Sequence, residues 1–345
     1  MKVKADCHVH IDKHATKEDF VYLLKNAEKN GVKKLIVLEH NNLTIFTNGV
    51  YDQVANNEGI GAYYTGQLIP GVEFDVFLDN AAVIDGADYN GYILHIVFAG
   101  FDMKKILNTK WYNPQWVKEQ KDKDYDEFIA LGKEKFGLEM PPKEYLQNFP
   151  DHFVKALYAY MNESEERKQS YAKLLDLSDA ELANGSVFIR NLYGGPTSKL
   201  FFQSRTIPTF TDLVKLRKEV GGKIIIAHPA HMYSHFDTKK YLAAMQSIPQ
   251  VFEGEPNFDG IEVPYFLNTP EETEFLENYA NEHNLLKSGG SDFVITPNGK
   301  MFFDNKEGER VYFDAQIGNA YAAEYYGKDG TIYVDENLYN GLNLK

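Results

Sequence analysis

The chain has 345 residues, enough for one large core or for an α/β barrel that carries an insertion. Its formal charge of −14 argues against broad electrostatic binding to nucleic acid or anionic membranes, although a small anionic substrate stays possible because bound cations reverse the local sign. Cys7 is the single cysteine, which excludes an internal disulfide; with no signal pattern and no apolar run long enough to span a bilayer, the expected location is the cytoplasm.

The first hundred residues alternate between strand and helix patterns. Ala5–His10 reads as a strand and Lys17–Asn30 as a helix with Thr16 as N-cap. Lys34–Glu39 is a second strand, Asn41 to about Gly61 a loop rich in Asn and Gly, and two more strands lie near Leu68–Phe77 and Tyr92–Ala99. From about Phe101 to Ser204 the chain turns charged, aromatic and helical, as in Trp116–Lys135 and Pro142–Met161. This stretch reads as an inserted helical subdomain or lid. Alternation then resumes: helix Phe210–Val220, strand Lys223–Ala227, helix Asp237–Gln246, strand Gly260–Val263, helix Pro270–His283 and strand Leu285–Ser288. Strands alternating with helices imply a parallel sheet or barrel. The expected division is a barrel from 1–100 and 205–295, an insertion over 101–204, and a C-terminal extension over 296–345 with short β-like stretches at Arg310–Phe313 and Thr331–Val334.

One apolar run after another ends on a residue able to bind a metal. Ala5–Cys7 leads to His8 and His10, Leu35–Leu38 to Glu39 and His40, and Leu68–Val72 to Glu73. Tyr92–Leu94 leads to His95, Ile224–Ala227 to His228, and Leu286–Ser291 to Asp292. Residues two apart on a strand share a face, so His8 and His10 form half of a metal site by themselves. In an α/β barrel the C-terminal strand ends meet at one mouth. Imidazoles and carboxylates gathered there suit Zn, Mn or Fe without distinguishing among them. By the same alternation Cys7 faces away from the metal side, into the core.

This ordered set resembles the polymerase-and-histidinol-phosphatase family of metal-dependent phosphoesterases. The marks are His8-Val9-His10, Glu39-His40, Gly71-Val72-Glu73, Ala227-His228-Pro229 and Gly290-Ser291-Asp292. The long insertion before Ala-His-Pro, with Asp259-Gly260-Ile261-Glu262-Val263 after it, looks like the branch that includes nucleotide and oligonucleotide phosphatases. The resemblance spans roughly Met1–Ile295. It implies a distorted (β/α)7 TIM-like barrel and two to three divalent metals. His8, His10, Glu73 and Asp292 would hold the first, Glu73 would bridge to a second on His95 and His228, and His40 would serve a third. The substrate would be a small phosphomonoester or nucleotide phosphate, attacked by metal-bound hydroxide, with His228 or His40 protonating the leaving oxygen.

The third site departs from the family pattern. Ala15 stands where an Asp is usual, leaving His14 as the substitute and Asp12 as a poorer one. Val294 stands where a His is usual. The alternative is therefore a degraded module that binds metal or ligand without turnover, and hydrolysis at a C–N or ester bond is a third reading. His152, Arg190 and Arg205 are candidate substrate contacts from the insertion, and His231 and His235 could line the mouth.

Overall fold

Apolar runs buried on both faces set the strands that open the chain. The computed structural model describes residues 2–149, 153–232, 236–265, 267–295, 300–304, 310–314, 317–318 and 332–336. Its first strands are β1 (Lys2–Ile11), β2 (Lys34–Leu38), β3 (Gln67–Phe77) and β4 (Ile93–Phe101). Helix α1 (Lys17–Lys29) joins β1 to β2. Its start is fixed by a reciprocal cap: the Thr16 hydroxyl accepts the Asp19 N–H and the Asp19 carboxylate accepts the Thr16 N–H. Phe20, Leu23, Leu24 and Ala27 form its buried face. The stretch expected as a loop after β2 holds two short helices, α2 (Thr44–Thr47) and α3 (Val50–Asn57). Their Ile45, Val50 and Val54 join the apolar cluster of α1, and that burial outweighs the turn-forming Asn and Gly residues.

Between β4 and the next strand come α4 (Met103–Leu107), α5 (Pro114–Ala130), α6 (Lys143–Gln147), α7 (Phe153–Met161), α8 (Glu165–Leu175), α9 (Asp179–Ala183), α10 (Gly185–Tyr193) and α11 (Phe210–Val220). The single helix expected over Pro142–Met161 is two, α6 and α7. Phe128, Leu157, Tyr171, Phe188 and Phe202 belong to an apolar cluster built within this region and separate from those of the sheet.

The remaining elements are β5 (Gly221–Ile226), α12 (Thr238–Ser247), β6 (Gly260–Glu262), α13 (Pro270–Glu282), β7 (Leu286–Ser288), β8 (Phe293–Ile295), β9 (Lys300–Asp304), β10 (Arg310–Asp314) and β11 (Tyr333–Asp335). Among the described residues the strands form one barrel-like sheet in the order β10-β9-β8-β1-β2-β3-β4-β5-β6-β7, with β11 antiparallel on the start of β1. Pairings β1–β2, β2–β3, β5–β6, β6–β7 and β1–β8 are parallel, whereas β4 is antiparallel to both β3 and β5. This corrects the all-parallel expectation. No helix connects β3 to β4; residues 78–92 are loop, pinned by an Ile84–Ala87 bridge, and so short a return favours the antiparallel direction.

Inside the curl, Ala5, Cys7, Ile36, Leu38, Ile69, Val97, Ala99, Ile225 and Ala227 pack together. Gly71 sits in the same layer because any side chain would collide: a Cβ there would lie 2.5 Å from Ile36 and from Leu38. The segment leaving β7 returns to β1, where the Cys7 N–H donates to the Gly289 carbonyl (3.0 Å). No helix among the described residues is long and apolar enough to cross a membrane.

Candidate metal centre

The mouth begins with an irregularity in β1. Strict alternation would place Cys7 opposite His8 and His10 and on the same side as Val9. Instead the register against β2 shifts between Asp6 and Val9. Cys7 therefore lies inside the barrel, directly below the histidines, while Val9 and Ile11 pack outside against Phe20 and Leu23 of α1. Burial pushes the Cys7 thiol up to about 12, which keeps it an uncharged core group. The expectation that Cys7 points away from the metal side is thus corrected by the bulge, a device common beside functional sites.

Glu73 continues the inward face of β3 beyond Gly71. His95 faces the same mouth from near the N-terminal end of β4, opposite Asp75, because that strand runs backwards. The sequence expectation of a C-terminal strand end is corrected there. His228 (φ +26°) and Asp292 (φ +51°) leave their strands through left-handed backbone, which turns each side chain toward the centre. Such conformations are costly for His and are kept only where the surroundings impose them. Asp292 is held by its N–H bond to the His8 carbonyl (2.6 Å), and Gly290 lets the chain pass this close. A Cβ on Gly290 would lie 2.1 Å from His8 Cβ and 2.5 Å from His8 N. We expect Gly290→Ala to destabilise the fold by about 1–3 kcal/mol, the usual cost of overpacking, and to lower bound metal; urea titration and elemental analysis of the same sample would check both.

Five imidazole nitrogens surround the Glu73 carboxylate: His40 Nδ1 at 2.9 Å, His10 Nε2 at 3.2 Å, and His8 Nε2, His95 Nδ1 and His228 Nε2 each at 3.4 Å. Asp292 Oδ1 lies 3.2 Å from His8 Nε2 and 3.1 Å from His10 Nε2. Two groups have ligand atoms close enough to share an ion: His8, His10, Glu73 and Asp292, and Glu73, His95 and His228. Glu73 belongs to both. His40 stacks on His10 with ring centres 4.3 Å apart.

The donor set fits cations. His8 Nδ1 meets a Glu262 oxygen at 2.9 Å and must donate to it, which leaves the lone pair of a neutral His8 on Nε2, facing inward. That nitrogen stands 3.0 Å from His10 Nε2, and both Glu73 oxygens are buried without a hydrogen bond. Without cations, protons compensate. Burial disfavours charge on His8, yet Glu262, Asp292 and Glu73 hold it well above the usual imidazole range. His95 is likewise raised to about 9, against its burial, chiefly by Glu73. Burial would raise Glu73 and Asp292, but the neighbouring imidazoles hold both well below the usual carboxylate range.

A pH dependence follows. A raised imidazole pKa stabilises the fold fully below the unfolded value near 6.5 and loses that contribution as pH passes through about 9. The metal-free protein is therefore expected to lose thermal stability between pH 6.5 and 9. Over the same window metal affinity should rise, with protons released on binding. Calorimetry of the chelated and metal-loaded protein across that range would check it.

Other expected residues lie apart from the cluster. His14 is exposed, with its N–H bonded to the Asp12 carboxylate (2.7 Å), and it does not line the cavity described below. Arg205 pairs with Asp124 (2.7 Å) and Glu127 (2.6 Å), tying its segment to α5. Arg190 lies in α10; His152 and His235 lie outside the described residues. His231 sits beside Tyr265 and 3.5 Å from Glu272.

Sequence reasoning assigned no role to two groups beside the centre, Glu262 and Tyr265. Glu262 is fully buried; one oxygen faces His8 Nδ1 and the other accepts the His228 N–H (2.8 Å). The Tyr265 hydroxyl donates to Asp292 Oδ2 (3.0 Å), leaving Oδ1 toward His8 and His10. The strand-end rule points to Glu262 and not to Tyr265, which comes from a loop. Above the centre lies a cavity of about 660 Å³. Its floor includes His10, His40 and Val294, and Trp111, Tyr112 and Tyr193 from the helical region form part of its wall.

No family model matches the chain, and no curated protein matches it. Among solved structures it is similar to a candidate metal-dependent phosphoesterase from Bifidobacterium adolescentis, at 18% identity and TM-score 0.42, covering 83% of this chain and 86% of that one. It is also similar to an amidohydrolase from Chromobacterium violaceum, solved with sulfate and no metal, at 16% identity and TM-score 0.45, covering 89% and 90%. A third is PsfC from Pseudomonas syringae, at 13% identity and TM-score 0.34, covering 99% and 94%. At this distance the functional reading rests on the chain's own residues.

Proposed function

We propose that the protein is a metal-dependent hydrolase of small phosphomonoesters, built on a distorted barrel of the (β/α)7 kind with residues 101–204 as its specificity-setting insertion. The observation that carries this reading is the single carboxylate of Glu73 shared between two groups of ligands. His8, His10, Glu73 and Asp292 would hold one divalent cation, and Glu73, His95 and His228 a second. Such a pair supplies Lewis acidity and neutralises charge on a phosphoryl group.

The chain's own residues account for the rest. Glu262 and Tyr265 fix which atoms of His8 and Asp292 face the centre. His40 lines the cavity with Nδ1 against Glu73, so its Nε2 is the nitrogen placed to hand a proton to a leaving oxygen. His228 is buried and does not line the cavity, which favours His40 for that role. Asp12, Glu39 and Asp75 line the cavity beside Lys13 and Lys121, so the preference for an anionic substrate over a neutral amide or lactone rests on the cations that the ligand groups would hold.

The test is a hydrolysis screen of phosphate esters, amides and lactones on chelated protein reloaded with Zn, Mn or Fe. Phosphate release that needs the metal is the expected result. Turnover of amides or lactones alone would replace the phosphoester reading. Tight metal binding with no turnover of any class would favour a binding module, in keeping with Val294 on the cavity floor and the exposed His14.

A further inference from the structure

Beside the metal-binding cluster the cavity wall carries two polar atoms that are buried and have no hydrogen-bond partner: Glu39 Oε1 and the Tyr112 hydroxyl. Glu39 follows β2 and is 4% exposed. Its other oxygen accepts the Ile45 N–H (2.9 Å), which fixes the carboxylate in place. Tyr112 comes from the opposite part of the chain, in the short turn Lys110–Tyr112 between α4 and α5. Burial and the nearby Glu39 charge hold its phenol far above the usual range, so the hydroxyl keeps its proton. Leaving such groups unpaired costs about 1–3 kcal/mol each, a cost that a bound ligand would remove.

The two atoms ask for different things. A carboxylate oxygen accepts, and a protonated phenol has a hydrogen to donate. An ammonium group would satisfy Glu39 alone, and a carbonyl would satisfy Tyr112 alone. Of these three groups only an alcohol, which donates one hydrogen bond and accepts another, answers both. We propose that Glu39 and Tyr112 form a subsite for a hydroxyl group of the substrate, which narrows the substrate to phosphomonoesters whose leaving portion is hydroxylated; this rests on the phosphoester reading above.

The experiment is titration calorimetry of the metal-loaded full chain with glycerol 1-phosphate, ribose 5-phosphate and propyl phosphate. Wild type, Tyr112→Phe and Glu39→Gln are compared at matched metal content. Both substitutions keep side-chain volume, and the amide oxygen introduced by Glu39→Gln can still accept the Ile45 N–H. We expect wild type to bind at least one hydroxylated ester about tenfold more tightly than propyl phosphate, with the ratio falling toward one in each variant. Equal affinity for all three esters in wild type, or a preference that survives both substitutions, would overturn the subsite. A binding preference without turnover of any ester would overturn the phosphoester reading alone and leave the subsite standing.

Discussion

Glu73→Gln is expected to empty the metal centre while leaving the fold in place. The substitution keeps the shape of the side chain and removes the one charge that both ligand groups share. In the wild type, five imidazoles crowd one carboxylate within 3.4 Å, and only a cation or bound protons can offset that arrangement. With an amide there, each group loses an anionic ligand at once, so the losses cannot be separated into one site and then the other. We expect about two metals per chain in the reloaded wild type and close to none in the variant, with affinity down by more than about a hundredfold. Metal-dependent turnover should fall by about three orders of magnitude or more. Elemental analysis with far-ultraviolet circular dichroism would check both parts. A variant that is folded and still fully loaded would remove the shared carboxylate from the centre and the proposed function with it.

Much of this centre was visible in the sequence because strand ends are a strong local signal. His8, His10, Glu73, His228 and Asp292 each follow an apolar run, and the structure brings them to one place. The parts that were not visible depend on backbone geometry that one sequence does not display. Nothing in Ala5–Ile11 announces the shift after Asp6 that sends Cys7 inward and Val9 outward, since every residue from Ala5 to Ile11 is buried whichever way it faces. The reversal of β4 depends on a loop without a helix, and the run Tyr92–His95 reads the same in either direction. His228 carries no hint of left-handed backbone, which only the bonds around it enforce. The helical region was legible as a change of composition, but its wall of the cavity was not, because Trp111 and Tyr193 lie 82 positions apart in the chain. The tail gave short β-like runs without a place; β9 and β10 extend the sheet beyond β8, while β11 covers the start of β1.

Glu262 offers the second large effect, although it belongs to neither ligand group. Its two oxygens serve two different clients: one accepts from the His8 ring, the other from the His228 backbone N–H. The first bond selects the His8 tautomer that turns Nε2 inward; the second holds a histidine whose φ of +26° would otherwise relax. One buried carboxylate therefore aligns a member of each ligand group. Glu262→Ala should leave both donors unpaired in a buried site, costing about 1–3 kcal/mol for each of them. Glu262→Gln separates the two roles. Its amide oxygen can still accept from one donor, but its NH2 then either opposes the His228 N–H or turns His8 to the tautomer that carries its hydrogen on Nε2. We expect metal affinity to fall about 10–100-fold in the Gln variant, in the range typical of residues that orient metal ligands, while thermal stability of the metal-free protein falls less than in the Ala variant. Metal titrations and melting curves on the two variants would measure both quantities. If both bind metal as tightly as wild type, His8 and His228 are held by other contacts and Glu262 serves only to fill the core. If affinity falls in both while the Gln variant keeps more of its stability, one residue joins the packing of β6 to the alignment of both metal sites.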